Sequence, residues 1–277
     1  MAQVLINALM LGATYTLIAL GLTLIFAIMN VMNFAHGQML VFGGFITYYV
    51  FGQWHLPYPV ALLASAVGVA LIGLVFDRLF RRALSRSARE ETSMLLAVGT
   101  ALLLDSLALV LFGEKQRGVP DVVPGVVEVF GAYVPLRRLL NFVASLLLAA
   151  SFLAFLQYTR PGRALRAIAQ DREATALQGV DVERYGALGF AVGAALAGLA
   201  GGLLVATEAV NAGAGSVASI KAFTMIMIGG AGVVSGAIVG AFVLAFAESI
   251  GYYLFPGSVT YLLILLGIVG TLQGNLG

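Results

Sequence analysis

The sequence contains no cysteine and little charge. Without a thiol there is neither a disulfide framework nor a thiolate metal site. Asp, Glu, Lys and Arg together make up 10% of the 277 residues, whereas soluble domains carry about one-quarter. A water-soluble fold of this length cannot cover itself with so few polar groups. Histidine occurs only at His36 and His55. No second His or carboxylate lies at ligand spacing from His36, so it is expected to be a hydrogen-bonded loop residue and no metal is expected. The formal net charge of +2 says nothing on its own, and no nucleic-acid partner is expected. The chain has no G-x-x-x-x-G-K-[ST] phosphate loop, so it is not itself an ATP-driven motor of that kind. Ala2 to Met29 lacks a basic n-region and is too long for a signal-peptide core, so it is expected to remain as a span.

What is present is apolar. Hydrophobic residues reach 61%, mean hydropathy is +1.00, and the apolar runs are about 20 residues long, enough to cross a hydrocarbon core. Hydropathy predicts segments over Val4 to Ile28, Met39 to Phe51, Val60 to Phe80, Ser93 to Phe112, Leu139 to Tyr158 and Tyr185 to Thr207. A glycine-broken region, Ala222 to Leu254, and a final segment, Thr260 to Leu272, complete the set. The fold class expected is all-α: a polytopic transmembrane helical bundle with about eight spans in one domain across residues 1–277. Two segments are expected to be broken or re-entrant and related as an inverted repeat.

The arginines set the orientation. None precedes Arg78; Arg78, Arg81, Arg82, Arg86 and Arg89 follow the third span, and Arg160, Arg163, Arg166, Arg172 and Arg184 lie between the fifth and sixth. The loop 113–138 is mixed, with Lys115, Arg117, Arg137 and Arg138 offset by Glu114, Asp121 and Glu128. The positive-inside rule places both arginine clusters in the cytoplasm, the loop 113–138 in the periplasm and the N-terminus outside. The uncharged C-terminal tail leaves its own side open.

Between the fifth and sixth spans, the polar loop 159–184 contains a run of helix formers from Arg163 to Gln178, with Gly179 placed to stop it. Leu165, Ile168, Ala169, Ala176 and Leu177 fall near one face, with Arg166, Gln170 and Arg172 largely elsewhere. The spacing predicts one short amphipathic helix at the cytoplasmic surface. It is suited either to anionic lipid or to a groove on a cytoplasmic protein; a plain solvated basic loop is the simpler alternative.

Three blocks carry a resemblance. They are Gly21 to Phe26 running into Val31-Met32-Asn33-Phe34-Ala35-His36-Gly37, the Arg163 to Gly179 segment, and Met227-Ile228-Gly229-Gly230-Ala231-Gly232-Val233-Val234-Ser235-Gly236-Ala237. With the length and span layout, they resemble the branched-chain amino acid ABC-transporter permease family, and most its shorter, H-type subunit. The resemblance implies a bacterial inner-membrane permease paired with a second, M-type permease or a second copy of itself. It also implies two cytoplasmic ABC ATPases that hold ATP and Mg, and a periplasmic substrate-binding protein. Gly162, Arg163, Arg166, Asp171, Glu173, Ala174, Ala176, Leu177 and Gly179 then stand where such permeases engage their ATPases. The C-terminal Thr271 to Gly277 departs from the family's Arg-Pro-Gln-Gly ending, keeping only Gln273 and Gly274. Asp105 stands where an uncharged polar residue is expected.

Polar residues inside apolar spans mark a route. Asn30, Asn33, Phe34, His36 and Gly37 form one interruption, either a loop at the cytoplasmic end of the first span or a re-entrant break; Gly229, Gly230, Gly232 and Gly236 form a second, and the two are expected to be an inverted pair lining the translocation pathway. Close helix packing explains the glycines equally well. Asp105 and Glu248 are the buried ionisable candidates, while Glu208 falls at the outer end of its span. No catalytic residues are expected. An intramembrane enzyme would need a Ser/His, paired Asp or His/Glu constellation that is missing. A self-contained channel or secondary transporter would need titratable coupling groups, for which only Asp105 and Glu248 offer themselves. The expectation is ATP-driven alternating access for branched-chain or other small amino acids. Urea, short amides and small aromatic acids, carried by close relatives within the family, remain open.

Overall fold

A computed structural model describes residues 2–84, 90–129 and 131–254. Arg86, Arg89 and the expected segment Thr260 to Leu272, with the tail to Gly277, lie outside them. Among the described residues the order is α1 (Ala2–Met29), α2 (His36–Thr47) continued by a π-helical turn (Tyr48–Gln53), α3 (Tyr58–Leu84), α4 (Glu90–Phe112), β1 (Val126–Val129), β2 (Ala132–Pro135), α5 (Leu136–Tyr158), α6 (Arg160–Gln170), α7 (Arg172–Leu177), α8 (Val182–Val205), α9 (Ala214–Gly229) and α10 (Val234–Leu254). Six of these, α1, α3, α4, α5, α8 and α10, are long and apolar enough to cross a membrane.

The helices differ in what surrounds them. α1 is apolar on every side because it is the centre of the bundle: its most apolar stretch is 83% buried. α8 is the second central helix, packed on α3, α2 and α1. α4 is only 22% buried, and it presents Leu95, Leu102, Leu103 and Val110 outward. α3 does the same with Leu63, Val67, Leu71 and Val75 at four-residue spacing. Such faces suit lipid tails as solvent.

Two short helices start inside the bundle. The His36 ring Nε2 donates to the Ile18 carbonyl at 3.0 Å, and Ile18 lies about 24 Å along α1 at 1.5 Å per residue. The chain therefore leaves α1, turns back through residues 30–35 without helix, and begins α2 at mid-depth. α9 begins beside it. The Gly37 N–H donates to Ser219 Oγ at 3.0 Å, and Ser219 Oγ donates to the Phe34 carbonyl at 2.8 Å. A Cβ on Gly37 would run into the Gly215 carbonyl and the Ser219 backbone.

The internal symmetry follows. α1, α2 with its π turn, and α3 correspond to α8, α9 and α10. The α3–α8 and α1–α10 contacts, which exchange under such symmetry, are the two most extensive among the described elements. Asn33-Phe34-Ala35-His36-Gly37 is echoed by Asn211-Ala212-Gly213-Ala214-Gly215, and each Asn carbonyl accepts the N–H three residues on, at 3.2 Å in both. The expected pairing of breaks needs correction here. The counterpart of residues 30–35 is 206–213; the glycine turn 230–233 corresponds instead to 54–57, between α2 and α3. Hydropathy missed this because Glu208 to Ala214 looks like an ordinary surface connection.

Two other expectations change. The loop 113–138 contains an antiparallel hairpin, Val126 opposite Pro135 and Val129 opposite Ala132, so among the described residues the named elements are helical apart from this ribbon. The single helix expected from Arg163 to Gln178 is broken at Asp171, whose backbone is extended and whose carboxylate accepts from the Ala174 N–H at 2.9 Å. An aspartate that can cap a new helix competes with continuation of the old one. Gly179 does end α7, with φ +80°. Arg78, Arg160, Arg163, Arg166, Arg172 and Arg184 are all exposed; they lie at the α6–α7 end of the bundle, opposite the hairpin.

The half-helix crossing has no room for side chains. Gly37→Val is expected to cost about 1–3 kcal/mol through overpacking, lowering the detergent-solubilised unfolding temperature by several degrees. Gly99→Ala, where nothing lies within 4 Å, is expected to be neutral or slightly stabilising.

Candidate functional site

The mid-depth crossing gathers polar groups that an apolar bundle rarely tolerates unless something is done with them. His36 is fully buried, and its Nε2–H is fixed by the Ile18 carbonyl; among the described residues its Nδ1 has no hydrogen-bond partner, nor do Asn33 Nδ2 and Gln38 Oε1. Asn33 Oδ1 accepts from the Ala35 N–H at 3.1 Å, shaping the turn into α2. Phe34 lies against Phe223 of α9, ring centroids 4.9 Å apart. Asn30 is exposed at the end of α1 in the left-handed region, φ 51°. His36, Gly37 and Asn33 are thus brought together, while Asn30 is not.

The second glycine group lies elsewhere. A Cβ on Gly229 would meet the Gly236 carbonyl, and one on Gly236 the Gly229 carbonyl. These two close the α9–α10 corner by backbone contact. Gly230 and Gly232 occupy positive φ in the turn between them. The corner lies beside Phe26 and Ala27, near the end of α1, away from the crossing.

A buried ion pair lies one helical turn from Ile18. The Glu248 carboxylate, 3% exposed, accepts from the Tyr15 hydroxyl at 2.7 Å and pairs with Lys221 Nζ at 2.6 Å. Lys221 Nζ also donates to the Tyr15 oxygen at 2.6 Å, so three helices, α1, α9 and α10, meet in one polar triangle. At about 20 Å from the start of α1, Tyr15 puts the triangle near mid-depth. Each lone charge there costs about 3 kcal/mol on insertion scales; together they cancel net charge and satisfy one another. The triangle closes the inner end of a cavity of about 680 Å³ that runs to Gln3, Arg138 and Glu208 at the hairpin end. Gln3 is held there by paired bonds with the Tyr133 backbone, at 3.2 and 3.0 Å.

Asp105 on α4 accepts a hydrogen bond from Gln38 Nε2, and the Gln38 side chain packs where a Cβ on Gly215 would stand. The acid therefore steadies the crossing from outside. It is partly exposed, next to the buried stripe Ala97, Thr100, Leu104 and Ala108 of a helix whose other face is outward.

At the arginine-rich end, Thr159 caps α6 by accepting from the Gly162 N–H at 3.0 Å. Gly162 itself is buried, close against the Phe155 carbonyl. Leu165 and Ile168 are buried, with Leu165 seated against Gly189 of α8 beside Ile28 of α1. Arg163, Arg166, Asp171, Glu173, Ala174, Ala176 and Gly179 are exposed, and Leu177 is 88% exposed. Ala169, expected on the buried face, is exposed, and Thr175 takes the inward position on α7. Thr175 stands seven residues, two turns, after Ile168 and shares its inward face, whereas Leu177, nine residues after Ile168, points the opposite way.

The family model for the permease component of the branched-chain amino acid transport system matches residues 4–272. The chain belongs to that family. It is 32% identical over 263 residues to the high-affinity branched-chain amino acid transport permease BraD of Pseudomonas aeruginosa, covering 90% of this chain and 85% of the relative. It is 29% identical to LivH of Escherichia coli, covering 99% and 95%. It is 28% identical to a probable LivH of Methanocaldococcus jannaschii, covering 91% and 82%.

Sequence reasoning about this permease passed over Lys221 and Tyr15. A signal existed: Lys221 is the sole basic residue after Arg184, and a lone lysine in an apolar run calls for a buried partner. Glu248 is that partner. Breaking the pair is expected to be costly and removing both charges is not. Glu248→Gln is predicted to lose about 3 kcal/mol in a denaturant titration of the purified permease, while Lys221→Met/Glu248→Met stays within about 1 kcal/mol of the parent. Equal stability of Glu248→Gln and the parent would show that the pair carries no such coupling.

Proposed function

We propose that this permease forms half of the pathway of an ATP-driven importer of branched-chain amino acids, and that α6 and α7 receive the drive. The reading takes the complex to contain a second permease, M-type or identical. Two cytoplasmic ATPases hold ATP and Mg, and a periplasmic binding protein delivers the substrate. The N-terminus and the hairpin face the periplasm, the arginine-rich end faces the cytoplasm, and residues 1–277 act as one permease domain in the inner membrane.

The observation that carries the proposal is Leu177. A leucine 88% exposed at the tip of α7, flanked by Glu173, Ala174 and Ala176 on an exposed surface, is a small apolar knob with close-approach neighbours. It suits a groove on a partner protein. Its base is not loose. Leu165 and Ile168 root α6 against α1 and α8, the two central helices, so a displacement at α7 is transmitted to the helices that flank the crossing. The pathway, in this reading, includes Asn33, Phe34, His36 and Gly37 at the crossing, with the glycine corner 229–236 acting as the hinge between α9 and α10. Rotation of one symmetric half against the other exposes the cavity alternately to the two sides.

Leu177→Asp leaves the fold intact because the side chain touches little of its own chain. It is expected to reduce the ATPase subunits recovered with the tagged permease at least about tenfold, the loss expected of one interface anchor. Undiminished recovery would remove α7 from the interface.

A further inference from the structure

The Lys221–Glu248 pair is more than the bundle needs for its stability. Apolar residues of similar volume serve a core as well as a buried ion pair does, and the surrounding helices are built of such residues. Yet both charges are kept, on α9 and α10, with Nζ and Oε1 2.6 Å apart and Tyr15 donating to the second carboxylate oxygen at 2.7 Å. The pair also faces the inner end of the 680 Å³ cavity, within the range of about 300–1,000 Å³ that holds small ligands. Lys221 retains 22% side-chain exposure there, whereas Glu248 retains 4%. The walls between pair and mouth mix Asn7, Thr14 and Asn141 with Met10, Leu11 and Leu204. That lining accepts an apolar side chain beside a polar head.

We propose that Lys221, Glu248 and Tyr15 form a zwitterion-exchange site that selects α-amino acids within the cavity. This deepens the import reading above and rests on it. A free amino acid carries an ammonium and a carboxylate on one carbon, the same two charges that the closed pair holds. Its carboxylate takes the place of Glu248 at Lys221 Nζ, and its ammonium takes the place of Lys221 at the Glu248 carboxylate, while the Tyr15 hydroxyl stays with Glu248. Charge balances throughout, so opening the pair for a zwitterion strands no ion. A simple anion such as an aromatic acid leaves Glu248 unpaired. A cation takes Glu248 from Lys221 and brings no carboxylate in return. Urea and amides supply neither charge and leave the pair closed. Because Glu248 and the substrate carboxylate compete for the same ammonium, binding stays weak enough for release, as a conducting pathway requires.

Two experiments test this. In proteoliposomes holding the complete transporter, Lys221→Met/Glu248→Met is expected to lower the leucine carried per ATP hydrolysed at least about tenfold. An unchanged ratio would make the pair purely structural. A parent complex that neither hydrolyses ATP nor takes up leucine would instead overturn the import reading. The second experiment needs neither transport nor a substituted pair. The chain's only lysines are Lys115 and Lys221, so Lys115→Arg labelled with 13C,15N-lysine gives a single lysine signal by NMR in nanodiscs. Leucine is expected to shift that signal saturably, with an apparent affinity at least about tenfold tighter than leucinamide or 4-methylpentanoate, each of which lacks one charge. No shift with leucine, or equal affinities for all three, would overturn the site.

Discussion

A chain that stops being helical inside a bilayer must find partners for its backbone, because no water is there to supply them. That constraint organises this molecule. Two short helices start at mid-depth, and the groups freed at their starts are met locally. The Asn33 side chain takes the Ala35 N–H, the Asn33 and Asn211 carbonyls take the N–H groups that follow, and Ser219 bridges Gly37 to Phe34. Contact this close needs glycine at the crossing, so Gly37 and Gly215 follow from the same demand. Central α1 and α8 hold the crossing in place, and the other long helices enclose them.

The polar layer created in this way is continuous. Ile18 and Tyr15, one turn apart on α1, receive His36 and hold Glu248 respectively. Ser219 and Lys221, two residues apart on α9, serve the crossing and the ion pair. Movement of α9 against α1 therefore changes both at once. The cavity opens from this layer toward the hairpin, while Leu165 and Ile168 tie the same central helices to α6 at the opposite end. In the proposed importer this connection links what is carried to what drives it.

Composition and hydropathy made the membrane bundle legible, because a span needs little more than length and apolarity. The starts and ends of α1, α3, α4 and α5 fall within a few residues of the apolar runs. The re-entrant start of α2 was half legible: the polarity of Asn33 and His36 is out of place in a span, but it suits a loop at the end of one equally well. Its counterpart was not, since Glu208 to Ala214 carries the turn chemistry of any surface loop and only the echo of Asn33 in Asn211 distinguishes it. The kink at Asp171 depends on one side-chain cap against an otherwise helical pattern. The ion pair escaped notice because its members are 27 residues apart, a spacing that no local periodicity connects.

The most direct test of a permease driven from its α6–α7 end is uptake by purified components. With ATP enclosed on the α6–α7 side, proteoliposomes containing the two permeases and the ATPases should accumulate leucine only when the binding protein is present on the other side. Leucine flux through this permease in the absence of ATPases and ATP would contradict it.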